Sequence, residues 1–115
     1  MLTYSVASLA LVLTGCKTNT TTVVVQNNTG AKLSLDASSR VDGKTYKFVH
    51  KNIPNGKSAK QKYVTKQKKG STVNFTVNSV TIGGTTTSPK GVNLPIIVGQ
   101  TNTFVVDKNG NVTKK

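Results

Sequence analysis

The sequence predicts an all-β protein: a small antiparallel β-sandwich of about seven or eight strands, with a barrel as the alternative closure. Three observations predict it. Val and Thr dominate from Val23 onward, while helix formers are scarce and Glu is absent. Apolar and polar residues alternate at period two in several runs, the pattern of strands with one face buried. Turn-forming Gly, Asn and Asp punctuate those runs at intervals of about 8 to 12 residues, the spacing of short strands joined by tight turns.

The N-terminal segment is not part of that pattern. Val6 to Leu13 reads Val-Ala-Ser-Leu-Ala-Leu-Val-Leu, far short of the about 20 helical residues needed to span a bilayer. It is instead expected as the apolar region of a signal peptide over residues 1–15. The segment Met1 to Ser5 contains no Lys or Arg, and a start upstream of Met1 would supply the positive charge such signals carry. Leu13-Thr14-Gly15-Cys16 then resembles the bacterial lipobox, in which an aliphatic residue and two small ones precede a cysteine. Small side chains let the backbone enter a peptidase cleft, and the Cys16 thiolate is the nucleophile that takes up a diacylglyceryl group. The resemblance implies cleavage before Cys16 and a lipid anchor. Lys17 at the following position resembles the pattern that sorts lipoproteins to the outer membrane, which implies location there, on the periplasmic side. Two or more acyl chains hold a protein stably at a membrane, since each buried methylene contributes about 0.8 kcal/mol. The polar run from Lys17 to Thr22 has no apolar periodicity, so residues 16–22 are expected as the acylated cysteine and a tether, reaching about 20 Å if extended.

Residues 23–115 are expected to form the sandwich. Val23-Val24-Val25 opens a strand that ends at the turn Asn27-Asn28-Thr29-Gly30. Leu33, Leu35 and Ala37 alternate with Lys32, Ser34 and Asp36, and Asp42-Gly43 marks the next turn. A third strand places Tyr46, Phe48 and His50 on one face and Lys47, Val49 and Lys51 on the other, closed by Pro54-Asn55-Gly56. Lys57 to Lys69 reads as an edge strand running into a loop. Val73, Phe75 and Val77 share a parity that Val80 and Ile82 break, which predicts a bulge near Asn78 or Ser79. Gly83-Gly84 and the stretch Thr85 to Asn93 are expected as the longest loop. Ile96 to Val98 and Thr103 to Val106 follow as strands, and Asn109-Gly110 as a hairpin turn leading to Val112.

Charge bounds the function. Sixteen Lys and Arg face three acids, Asp36, Asp42 and Asp107, for a formal net charge of +13. Such an excess repels itself in a compact fold and invites an acidic partner: a protein face, anionic lipid, glycan phosphate or nucleic acid. Asp42 and Asp107 fall in turns, and His50 is the only histidine, so neither a carboxylate pair nor a metal-ligand set is expected. No Gly-x-Ser-x-Gly elbow or phosphate-cradling glycine loop is present. The reading is non-catalytic, without cofactor, metal or small-molecule substrate.

The candidate contact residues are Lys57, Lys60, Lys62, Lys66, Lys68 and Lys69. Extended, the segment would put Lys60, Lys62, Lys66 and Lys68 on one face. Two roles are open: gripping a polyanion or acidic partner, or blocking edge-to-edge aggregation. Tyr63 is the one aromatic among them, which disfavours base stacking and so nucleic acid. Lipobox, tether and a β-domain of this length together resemble, in architecture, the small sandwich lipoprotein of type VI secretion. Val23 to Gly30 is similar to the opening hairpin of aegerolysin-like lipid-binding sandwiches, although the Trp of that family is absent. The first resemblance implies a structural component of an envelope or secretion-system assembly. The alternatives are a module binding lipopolysaccharide, glycan phosphate or DNA, and a surface lipoprotein that blocks phage or conjugation.

Overall fold

A computed structural model describes residues 18–88 and 92–115. Leu13, Thr14, Gly15, Cys16 and Lys17 lie outside the described residues. Nine strands follow in order: β1 Asn19–Asn28, β2 Leu33–Val41, β3 Lys44–Ile53, β4 Ser58–Thr65, β5 Thr72–Ile82, β6 Thr85–Thr87, β7 Asn93–Ile97, β8 Thr101–Asp107 and β9 Val112–Lys114. They form two packed sheets, one ordered β9-β8-β1-β4 and the other β3-β2-β5, with β6 and β7 both pairing along β5. The fold is therefore the all-β sandwich that the alternating pattern predicts.

Local chemistry explains most turns. Asp42 and Gly43 take φ of 51° and 76° between β2 and β3, the double positive φ that a two-residue hairpin of matching twist demands. The β8–β9 hairpin closes around Asp107, whose carboxylate accepts from the Asn109 and Asn111 amides at 2.9 Å each. The bulge falls where the parity break predicts it. Asp36 pairs with Ser79 and Ala37 with Val77, so Asn78 is the extra residue that lets Val77 and Val80 both point inward.

Four expectations are corrected. The polar run expected as a tether is largely strand, because Asn19 to Thr22 form the start of β1, with Asn19 opposite Thr65 and Thr22 opposite Lys62. Thr21 is buried there among apolar neighbours, since a Thr fits an inward strand position when its hydroxyl is bonded, here by the Gly99 amide at 3.0 Å. Thr85 to Thr87 are strand rather than loop, paired with Ile82 to Val80 across the Gly83-Gly84 turn, and Asn93 opens β7. One ladder is parallel: β1 runs alongside β8 from Thr22↔Thr101 to Asn28↔Asp107, whereas the other six are antiparallel. Finally, nine strands are present among the described residues where about seven or eight were expected.

The core is Val, Leu and Ile around three phenylalanines. Phe48 of β3 meets Phe75 of β5 edge-on at 5.9 Å, and Phe75 stacks on Phe104 of β8 at 4.8 Å, crossing from one sheet to the other. Such pairs add about 0.5–1.5 kcal/mol each beyond area burial. Two buried asparagines also join the sheets. Asn27 of β1 donates from Nδ2 to the Ala31 and Ile53 carbonyls at 2.7 and 2.8 Å, and its Oδ1 accepts from the Thr29 amide and hydroxyl. Asn102 of β8 accepts from the Ile97 amide at 2.8 Å and donates to the Ile97 and Gln100 carbonyls.

Asn27→Leu keeps the branched side-chain shape but leaves the Ile53 carbonyl and the Thr29 amide without their side-chain partner in a buried site. It should destabilise the fold by about 3 kcal/mol, read as a lowered urea midpoint with an unchanged slope.

Candidate functional site

β3 and β4 are edge strands of opposite sheets, linked by the tight turn at Pro54-Asn55-Gly56, and the link brings them together along one flank. An edge strand leaves carbonyls without ladder partners. At this flank the Lys47 carbonyl accepts from the Tyr63 hydroxyl at 2.7 Å and from Gln61 Nε2 at 3.2 Å. Tyr46 and Tyr63 pack edge to face at 5.9 Å, and His50 Nε2 lies 3.1 Å from Gln61 Oε1. Inward side chains thus sew the two edges into a seam. His50 is occupied by Gln61 on one side and by the Phe48 ring at 4.4 Å on another.

The outward side chains on both sides of the seam are basic. Lys47 and Lys51 project from β3, Lys60 and Lys62 from β4, and all four are exposed. Lys57 precedes β4, while Lys66, Lys68 and Lys69 follow it. This corrects the expected stripe, because the strand ends at Thr65 and Lys66 and Lys68 leave it. Val64, 60% exposed, takes the next outward position after Lys62 instead. Lys69 departs furthest: its side chain lies over Gly99, where a Cβ would come within 2.7 Å of it.

Sequence reasoning missed the β3 half of the site. The signal was present, since Lys47, Val49 and Lys51 share the face opposite Phe48, but only the seam shows that this face adjoins β4. The two exposed large hydrophobic residues among those described, Val49 and Val64, both sit here between lysines.

The carboxylates do little to neutralise this flank. Asp42 Oδ2 accepts from Gln67 at 2.6 Å, Asp36 from Asn78 at 3.3 Å, and Asp107 from backbone amides in its own turn. These donors are uncharged. Nine lysines between residues 44 and 69 therefore face solvent with Asp42, two residues before that stretch, as the nearest acid in sequence. Such a surface attracts polyanions or acidic protein faces, with a strength that falls as salt screens it over about 8 to 10 Å. Among the described residues, no three His, Cys, Asp or Glu cluster as a metal site would need.

Comparison with protein-family models and with curated proteins returns no match. The seam itself has a measurable signature. Burial pushes the Tyr63 phenol from 10.0 up to about 12, so the unfolded chain loses this proton first. Stability from Tyr63 should be intact below pH 10 and fall as pH rises from 10 to about 12. In Tyr63→Phe that component of the alkaline loss should disappear, measured as the difference between the two proteins' unfolding free energies across the range.

Proposed function

We propose that this chain is a membrane-anchored, non-catalytic lipoprotein. It serves as an interaction component of an envelope or secretion-system assembly at the outer membrane, on its periplasmic side. Cys16 carries the lipid after cleavage behind Leu13-Thr14-Gly15, and Lys17 directs sorting. The observation that carries the interaction role is the seam, which joins two lysine-bearing edge strands into one exposed surface. Its partner on this reading is an acidic protein face, with Val49 and Val64 supplying apolar contacts within the charged field. Exposed apolar side chains inside a polar rim are the composition of a docking surface. Asn19 begins β1 three residues after Cys16, so an anchored domain would stand close to the head groups.

A second reading is favoured by the same charge: the flank grips an acidic polymer such as lipopolysaccharide phosphate, glycan phosphate or DNA. Salt separates the two, since counterion release makes polyanion binding collapse as salt rises, while an interface with apolar contacts persists.

Crosslinking in intact cells, then detergent extraction at low and high salt, should recover a small set of membrane proteins in fixed ratio at both salts. Recovery of acidic polymer alone, lost at high salt, would favour the second reading. Cys16→Ser should abolish acylation of the mature N-terminus by mass and release the protein from outer-membrane fractions. Retention there without acylation would refute the anchor.

A further inference from the structure

Four segments meet at the end of the sandwich where β1 begins. Asn19, the first residue of β1, donates from Nδ2 to the Gln67 carbonyl at 2.8 Å, and Gln67 Nε2 donates to Asp42 Oδ2 at 2.6 Å. Gln67 thereby ties the start of β1 and the β2–β3 turn to the loop that follows β4. That loop is held in turn to the one between β7 and β8. The Gly70 amide donates to the Val98 carbonyl and the Val98 amide to the Ser71 carbonyl, both at 2.9 Å, and the Lys69 side chain covers Gly99. The cations that leave the flank gather on this built end. Arg40 and Lys44 bracket the β2–β3 turn, Lys66 and Lys68 bracket Gln67, and Lys69 follows. All five are exposed, with Asp42 as the one acid beside them. The opposite end, where β1 and β8 finish and β2 and β4 start, carries Lys32, Lys57 and Lys108 beside Asp107 among the described residues. The end where β1 begins is therefore the more basic of the two.

Charge sets the class of partner, an array of anions, and the path of the chain selects among such arrays. Asn19 follows Cys16 by three residues, about 10 Å when fully extended. A lipid on Cys16 would hold this end of the sandwich within about one screening length of the head groups, roughly 8 to 10 Å in physiological salt. The flank lysines lie elsewhere, along the strands: Lys47 and Lys51 on β3, Lys60 and Lys62 on β4. We propose that the end is a second membrane contact, in which Arg40, Lys44, Lys66, Lys68 and Lys69 bind anionic lipid head groups. That contact stands the sandwich upright on the bilayer and turns the flank toward its partner. Each Lys or Arg close to an anionic surface strengthens binding about fivefold, and a basic patch beside a lipid chain is a pairing that makes anchoring stable. The direction the end faces in the cell rests on the anchor proposed above; its affinity for anionic lipid does not.

The test uses the full chain carrying Cys16→Ser, which has no lipid of its own, and vesicles of phosphatidylcholine alone or mixed two to one with phosphatidylglycerol, in physiological salt. The ratio of the two partition coefficients is the readout, since insertion of the apolar run Val6 to Leu13 contributes to both and cancels. The parent chain should prefer the anionic vesicles by at least about 300-fold. Lys44→Gln with Lys66→Gln and Lys68→Gln should cut that preference on the order of a hundredfold, at about fivefold per lysine. The same number of changes on the flank, Lys47→Gln with Lys51→Gln and Lys62→Gln, should cut it no more than about threefold, because salt screens the more distant charges. Both triple variants change exposed side chains and should keep the parent's urea midpoint. Equal loss in the two variants would overturn the proposal, showing that total charge rather than this end is read. Absence of any preference would overturn it too, and a DNA duplex retained by the parent but released by the end variant would then name an acidic polymer as the ligand. Absence of acylation at Cys16 in cells would count against the anchor alone, leaving the vesicle result to stand.

Discussion

Two buried side-chain amides hold the sheets in register, and the exposed features depend on them. Asn27 reaches from β1 to the Ile53 carbonyl at the end of β3, and Asn102 reaches from β8 to both backbone groups of Ile97 at the end of β7. Each therefore spans from one sheet to the other. With a single cysteine in the chain no internal disulfide can do this, and apolar packing sets spacing without setting register. A buried amide does set register, because every donor and acceptor must find its partner. The Asn27 clamp places the end of β3 against β1, whose other neighbour is β4, and so brings the two edges close enough for Tyr63 to reach the Lys47 carbonyl.

The charge follows the same frame. A net +13 on so small a domain would oppose folding if it were concentrated on one face. The sandwich instead divides the flank lysines between the outer faces of two sheets, Lys47 and Lys51 on one and Lys60 and Lys62 on the other. Repulsion is diluted within the fold, yet a partner approaching the seam meets both groups. The seam also consumes an edge carbonyl that could otherwise recruit a foreign strand. Both proposed roles for the lysines, contact and protection, are therefore compatible with one arrangement.

Much of the fold was legible because it rests on local chemistry. Period-two alternation located β2, β3 and β5. Asp42-Gly43 and Asn109-Gly110 located their turns, and the broken parity at Val77 and Val80 located the bulge at Asn78. What the sequence hid is non-local. The parallel pairing of β1 with β8 joins residues about 80 apart in sequence, and alternation looks the same in parallel and antiparallel strands. Asn27 looked like a turn residue because Asn is common in turns, and only burial reveals it, like Asn102, as a clamp. The start of β1 looked like a tether because its inward residue is Thr21. Half of the candidate site, Lys60 and Lys62 on an edge strand, could be read from composition. The other half could not, since the bond from Tyr63 to the Lys47 carbonyl spans 16 residues.

If the seam makes β3 and β4 one contact surface, reversing charge on both strands should abolish docking. Lys47→Glu with Lys62→Glu changes one lysine on each side of the seam, and Lys108→Glu with Lys115→Glu makes the same change in net charge near β9, the opposite edge of its sheet. Crosslinking yield in intact cells, at equal protein level, is the measurement. A shared surface requires loss of most of the partner crosslinks in the first pair, with near wild-type yield in the second. Equal loss in both pairs would contradict it, showing that total charge rather than the flank drives association.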